Sequence, residues 1–326
     1  MRAWMLRRSR YEKPRCKSTP VDEFELIERY FNRRVSSPGV NVGIGDDGAV
    51  LRPAADRDEI QVIDTLAEGV HFPSDSNAAD IGYRLVIVNL SDIAAMGGRP
   101  LWMTLALTLP QKDEQWVADF ANGLFEAATK YDVALVGGDT TSGDKVVATL
   151  HVTGEVEEGG ALLRSGAKVG DTIFVTGTLG DAAAGLELLQ HGELDEFLAA
   201  RFLRPSARIE TGRSLVGCAS AAIDVSDGLV GDLKKLLDAS GMGGELEVEN
   251  VPMSDALKSR FDTADRTRFA LTGGDDYELC FTARPDNVDQ VAGITPIGRV
   301  VREPDLVCRN NGVVVEYDDS GYRHFQ

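Results

Sequence analysis

Six clusters in this chain set aspartate among glycine or apolar residues, a combination suited to holding cations and the phosphates that travel with them. The first is Gly43-Ile44-Gly45-Asp46-Asp47-Gly48. It matches the dinucleotide pattern G-x-G-x-x-G, but a lone match is weak, and two ionised aspartates would repel a pyrophosphate at the inner positions. A divalent cation between carboxylate and phosphate removes that conflict. Mg²⁺ takes hard oxygen ligands and keeps waters and substrate phosphates. Asp64 follows the apolar run Val62-Ile63, Asp92 lies inside Val88-Asn-Leu-Ser-Asp-Ile-Ala-Ala-Met96, and Asp139 follows Gly137-Gly138. Asp224 and Asp227 bracket Val225-Ser226, and Asp275-Asp276 follow Gly273-Gly274. Any one aspartate at a strand end is ordinarily a turn or cap residue. The repetition, and the apolar flanks that would bury Asp92, point to a multi-metal phosphate site.

Other chemistries lack their residues. There is no Walker A sequence, no kinase set of H-R-D and D-F-G, and no G-x-S-x-G elbow. His71, His151, His191 and His324 are the only histidines, too few and too scattered for a histidine-rich zinc site. ATP, if used, must be met by metals, backbone amides and arginine. Arg164, in Leu162-Leu-Arg-Ser-Gly-Ala167, is a candidate for bidentate phosphate contact, with a plain surface arginine as the alternative.

These residues need a scaffold, and the chain is long enough to supply one. Its 326 residues suggest two domains, and 43% hydrophobic and 26% charged residues are ordinary for a globular protein with a sizeable core. The 34 Lys and Arg against 52 Asp and Glu give a net charge of −18, which argues against nucleic acid and anionic membrane partners. No run approaches the roughly 18 apolar residues of a membrane span. Cys16, Cys218, Cys280 and Cys308 form no C-x-x-C pair and read as reduced thiols of a cytoplasmic protein. Residues 1–20 are basic, lack a secretory h-region and are set aside as a disordered tail or an upstream start, a transit peptide being the alternative.

The pattern predicts helices over Asp22–Phe31, Ala79–Met96, Asp113–Tyr131, Arg208–Val216 and Leu229–Ala239, and one opened by Gly177-Thr-Leu-Gly180 that runs through Leu189. It predicts strands over Glu59–Asp64, Pro100–Leu109, Ala134–Val136, Val146–Val156, Thr172–Thr176, Ala221–Val225, Phe269–Thr272, Glu278–Thr282, Thr295–Val301 and Gly312–Tyr317. Asp64 and Asp139 then fall at or just after strand ends. The polar, glycine-rich Glu157–Gly160 divides the chain into residues 21–157 and 158–326, each mixing strands and helices.

Six ordered motifs carry a more specific signal: Gly43–Ala49, Asp64-Thr-Leu with Gly69-Val-His71-Phe72, Asn89–Gly97, Gly137–Thr141, Ala222–Gly228 and Gly273–Leu279. In this order they resemble the thiamine-monophosphate kinase family of the aminoimidazole ribonucleotide synthetase-like superfamily, over roughly Asp22 to Phe325. The resemblance implies an α/β fold with mixed sheets in two domains, the first forming a homodimer interface. It implies ATP-dependent phosphorylation of thiamine monophosphate to thiamine diphosphate. Several Mg²⁺ ions would be held by Asp47, Asp64, Asp92, Asp139, Asp224 and Asp227. Gly138, Asp139, Arg164 and Ser226 would meet the nucleotide, and His71, Asp275 and Tyr322 the thiamine substrate. Two departures stand out. Val62 and Ile63 replace the family's usual hydroxyl residues, and Asp275 replaces its usual glutamate. Another ATP-dependent member of the superfamily and a non-catalytic nucleotide-binding relative remain as alternatives; a dinucleotide-dependent dehydrogenase is the reading that Gly43–Gly48 alone would give.

Overall fold

Two mixed sheets share one buried helix. In the computed structural model, residues 23–33, 37–111 and 113–317 are described. The chain opens with α1 (Glu23–Leu26), which runs into a π-helical turn ending at Phe31, and a ribbon of β1 (Val40–Val42) and β2 (Val50–Leu51). Then follow β3 (Arg57–Ala67), α2 (Ala78–Ala95), β4 (Arg99–Leu109), α3 (Glu114–Lys130), β5 (Ala134–Ser142) and β6 (Val147–Glu157). The sheet order is β3-β6-β4-β5, antiparallel except for the parallel β4–β5 pair. The second half comprises β7 (Thr172–Thr176), α4 (Asp181–Gln190), α5 (Glu196–Leu203), α6 (Ile209–Leu215), β8 (Ala221–Val225), α7 (Leu229–Ser240), β9 (Gly243–Glu247), α8 (Asp255–Arg260), α9 (Thr263–Thr272), β10 (Glu278–Ala283), β11 (Ile294–Val301), β12 (Leu306–Asn310) and β13 (Val313–Val315). Its seven strands lie in the order β13-β12-β9-β11-β7-β10-β8.

Period-two patterning orients the first sheet. Ala148, Leu150 and Val152 of β6 are fully buried on the side of α2, while Thr149 and His151 face the other way. Along β3 the same alternation buries Ile60 and Leu66 and puts Asp64 on their side, toward α2. Helix α3 is amphipathic: Val117, Phe120, Ala121, Leu124 and Ala128 are buried, and Asp113 caps it by accepting from the amides of Gln115 and Trp116, both at 3.1 Å.

Helix α2 is different. It is capped by Asn77 and buried on nearly every side, with Leu85, Val86, Ile87, Leu90 and Ile93 at 0% exposure. One side packs on β3, β4 and β6; others meet α3, α6, β8 and β10. It approaches α3 so closely that a Cβ on Gly123 would stand 1.8 Å from the Ala79 carbonyl oxygen, which only glycine permits. One continuous core therefore spans α2, the first sheet and Phe174, Ala222, Leu279 and Phe281 of the second. The chemistry-bearing residues of α2 sit where the two halves meet.

Several expectations change. Phe269–Thr272 is the last turn of α9, because Asp262 starts a helix there by accepting from Ala264 and Asp265 amides; a four-residue apolar run cannot distinguish strand from helix. Strand β3 continues past Asp64 to Ala67, and β5 continues through Gly137-Gly138-Asp139 to Ser142, so these residues lie within strands. The last strand shortens to Val313–Val315, and α5, β9, α8 and β12 are additional elements. Asp22 and Tyr322 lie outside the described residues.

Candidate active site

A cleft of about 910 Å³ opens between the two halves. Its lining includes Asp64 from β3, His71 from the loop after it, Asp92 from α2, Arg164, and Asp224, Ser226 and Asp227 from the end of β8, with Asp275 opposite. Asp224 is 5% exposed, and its carboxylate accepts from the Ser91 hydroxyl at 2.8 Å. Asp64 and Asp92 face one another closely enough that each carboxyl perturbs the other. Burial, then the negative charges of Asp224 and Asp64, push the Asp92 carboxyl up to about 8, with Arg164 pulling the other way. Burial pushes Asp224 up to about 7 against the Ser91 hydrogen bond. Burial also raises Asp64, and Asp227 adds repulsion. The floor of the cleft is thus a set of acids that cannot all ionise together without added positive charge.

Two glycine-dependent contacts build the far wall. A Cβ on Gly274 would lie 2.5 Å from the Ser226 carbonyl oxygen, and one on Gly228 (φ +122°) would lie 2.9 Å from the Thr272 carbonyl carbon. The Ser226–Gly228 turn and the Gly273–Tyr277 loop therefore pack backbone on backbone. Asp275 and Tyr277 adopt left-handed φ of 70° and 52°, held by amide bonds to the Ser226 and Val225 carbonyls at 2.9 Å each. Such conformations in non-glycine residues cost about 1–3 kcal/mol and concentrate at functional sites.

Within Gly273–Leu279 the acids divide by role. Only Asp275 lines the cleft. Asp276 is buried and caps α4, accepting from Gly180 and Ala182 amides at 2.6 and 3.2 Å; Gly180 has no side chain with which to do so. Glu278 is fully buried between Arg201, Arg208 and the Thr176 hydroxyl.

The structure divides the sequence-derived site residues between two places. Asp64, Asp92, Asp224, Asp227, Arg164, Ser226, His71 and Asp275 come together in this cleft. Asp47, Gly138 and Asp139 line a second cavity of about 850 Å³, formed by the Gly43–Ala49 turn over β5. There Asp46 accepts from the Asp47 amide at 2.9 Å, an ordinary turn contact. Of the two departures, Val62 shares the face of Asp64, whereas Ile63 points away and is 65% exposed. Sequence reasoning assigned no role to Ser91, Asp232, Lys235 or Arg84. Asp232 Oδ2 accepts from the amides of Ser226, Asp227 and Gly228 at 3.0, 2.9 and 3.2 Å and so shapes that turn. Lys235 pairs with Asp227 at 2.6 Å and Asp232 at 2.9 Å. The acid in the first turn of a helix following S-D-G was the available signal for Asp232. An arginine inside the apolar Tyr83-Arg84-Leu85-Val86 was the signal for Arg84.

Among the described residues no three or more His, Cys, Asp or Glu side chains are arranged to enclose a metal ion by themselves. An open-sided set of hard carboxylate oxygens facing a ligand-sized cleft fits an ion that completes its shell with water and phosphate.

The raised acids fix a sign. A carboxyl whose folded-state pKa exceeds its unfolded value of about 4 stabilises the fold below that value, and the contribution is lost as pH rises through the folded pKa. In chelator, the unfolding temperature should therefore fall from pH 6 to about 8.5. Asp92→Asn removes the titration of that carboxyl and should flatten that fall. Equal slopes for wild type and variant in thermal unfolding would contradict the assignment.

Residues 45–156 match the family model "AIR synthase related protein, N-terminal domain", and residues 168–307 match the corresponding C-terminal domain. The chain is 46% identical over 319 residues to a thiamine-monophosphate kinase of Salmonella typhimurium, covering 93% of this chain and 98% of that protein. It is 36% identical to one of Bacillus subtilis, covering 94% and 100%. A crystal structure of thiamine-monophosphate kinase from Stenotrophomonas maltophilia superposes with a TM-score of 0.83 at 41% identity, covering 90% of this chain and 98% of that one. A structure described as AaThiL complexed with AMPPCP and TMP gives 0.77 at 34% identity, covering 93% and 97%. The chain belongs to the thiamine-monophosphate kinase family of AIR synthase-related proteins.

Proposed function

We propose that this chain transfers the terminal phosphoryl group of ATP to thiamine monophosphate, yielding thiamine diphosphate and ADP. The observation that carries this reading is the convergence of Asp64, Asp92, Asp224 and Asp227 with Arg164, His71 and Asp275 in one cleft of a chain of this family.

The chemistry suits the residues. The acceptor is a phosphate oxygen, ionised near neutral pH, so the protein needs no general base. The difficulty is electrostatic: two polyanions must meet, and negative charge shifts between them during in-line transfer. Asp64, Asp92, Asp224 and Asp227 would hold Mg²⁺, with Asp47 and Asp139 serving the same chemistry from the second cavity. Bound Mg²⁺ supplies positive charge that offsets the repulsion between the substrates. Arg164 meets phosphate, Ser226 and Gly138 meet the nucleotide, and Asp232 holds the Ser226–Gly228 amides in place. His71 and Asp275 bind the thiamine side. The His71 Nδ1 accepts from the Ala67 amide at 3.0 Å, which places the ring proton on Nε2. Asp275 is one methylene shorter than the family's usual glutamate, so water bridges its contact. No side chain is phosphorylated on the way.

The same proposal places the domain division at Glu157–Gly160, between residues 21–157 and 158–326, and the enzyme in the cytoplasm. No helix among the described residues is long and apolar enough to cross a membrane. It also takes the protein as a homodimer paired through the first sheet. The β1–β2 ribbon covers Leu101, Trp102, Ala134 and Val136 on that sheet's outer face, but Ile63 on β3 is left 65% exposed.

Purified protein with ATP, MgCl₂ and thiamine monophosphate should form thiamine diphosphate and ADP in equal amounts, read by chromatography. Asp224→Asn and Asp47→Asn should each lower kcat by about 100-fold or more, within the range for losing charge stabilisation in a phosphoryl-transfer site. ATP binding without diphosphate formation by wild type would contradict the substrate. Sedimentation should give a dimer, and Ile63→Glu a monomer; a monomeric wild type would contradict the pairing.

A further inference from the structure

We propose that Arg84 is the positioning residue that ties the His71 loop and Asp275 together across the cleft, so that both thiamine-side contacts are set by one guanidinium. The inference rests on the function proposed above and adds a residue to it.

Arg84 lies on α2 and is 5% exposed, between buried Tyr83 and Leu85. A charge so placed needs partners for its donors, and among the described residues only the two Nη groups find them while the buried Nε has none. Its Nη1 donates to the His71 carbonyl oxygen at 2.9 Å, and its Nη2 donates to Asp275 Oδ1 at 2.6 Å. The guanidinium plane covers the Phe202 ring of α5, 4.2 Å from its centroid. One side chain thus bridges the loop after β3, the loop before β10, and α5. These segments are far apart in the chain; α5 also reaches the loop before β10 through Arg201, which donates to the Asp276 carbonyl oxygen at 3.4 Å, but the His71 loop is tied in by Arg84.

The consequence for Asp275 is specific. Tyr277 Oη donates to the same Oδ1 at 2.9 Å, so two donors fix one carboxylate oxygen. Among the described residues Oδ2 accepts no hydrogen bond, and the side chain is 30% exposed in the cleft. The acceptor capacity left for a ligand is therefore Oδ2, held by a carboxyl that cannot rotate freely. The backbone beneath is also constrained, with left-handed φ at Asp275 and Tyr277. On the other side, the bond to the His71 carbonyl holds the turn whose ring lines the same cleft. A lysine would have to reach both acceptors from a single nitrogen and would lose the planar guanidinium's stacking on Phe202.

The full-length protein and its Arg84→Met, Arg84→Lys, Tyr277→Phe and Asp275→Asn variants test this. Arg84→Met should raise KM for thiamine monophosphate by about tenfold or more while KM for ATP stays within about twofold, because the nucleotide is held elsewhere. Arg84→Lys should fall between. Arg84→Met combined with Asp275→Asn should be no worse than the poorer single variant. Hydrogen exchange should speed up in residues 67–73 and 273–278 together, in Arg84→Met and Arg84→Lys alike, with α3 unchanged. Should Arg84→Met fail to fold, Arg84→Lys and Tyr277→Phe give the same comparison. Equal rises in both KM values, or unchanged exchange in either segment, would overturn the proposal. A wild type that does not phosphorylate thiamine monophosphate would overturn the functional reading instead, and the exchange data would still decide the role of Arg84.

Discussion

The mutual repulsion of Asp64, Asp92, Asp224 and Asp227 is the constraint on which the remaining architecture depends. Carboxylates drawn from β3, α2 and the end of β8 face one cleft, partly shielded from water. Burial and repulsion between neighbours push Asp92 and Asp224 up to about 8 and about 7 and raise Asp64 as well. Such an arrangement is unfavourable for the protein alone and favourable once cations arrive. It also reconciles a net charge of −18 with the handling of two phosphorylated substrates, since the positive charge comes with the ligands.

Rigid elements hold the acids together. Helix α2 is packed between the first sheet and elements of the second, so Ser91, Asp92 and Arg84 are fixed by a core that belongs to both halves. Across the cleft, Gly228 and Gly274 let two loops stack with no side chain between them, and Asp232 gathers three amides of the Ser226–Gly228 turn. Asp276 and Glu278 complete the wall from behind, one capping α4 and the other neutralised by two arginines. A short motif thus contains one residue that faces the ligand and two that keep it in place.

Much of this was legible in the sequence because it follows local rules. Asp113 before an apolar stripe marks α3, alternation marks β6, and aspartate beside glycine marks the turns at Asp227 and Asp275. What stayed hidden was set by partners distant in the chain. Phe269–Thr272 is helical because Asp262 caps it, against the appearance of an apolar tetrapeptide. Asp276 and Asp275 are adjacent and chemically identical, and only the approach of α4 and Arg84 separates a cap from a ligand-facing acid. Asp47 and Asp139 belong to the same motif series as Asp64, yet they lie in a separate cavity because β5 and the Gly43–Ala49 turn are on the far side of the first sheet from β3.

The most direct test is crystallographic. Crystals grown with Mn²⁺, a non-hydrolysable ATP analogue and thiamine monophosphate should show anomalous density for metal touching Asp64, Asp92, Asp224 or Asp227 and a nucleotide phosphate. The thiamine phosphate should lie on the His71 and Asp275 side of the same cleft. Metal bound elsewhere, with this carboxylate set metal-free beside bound nucleotide, would contradict the account.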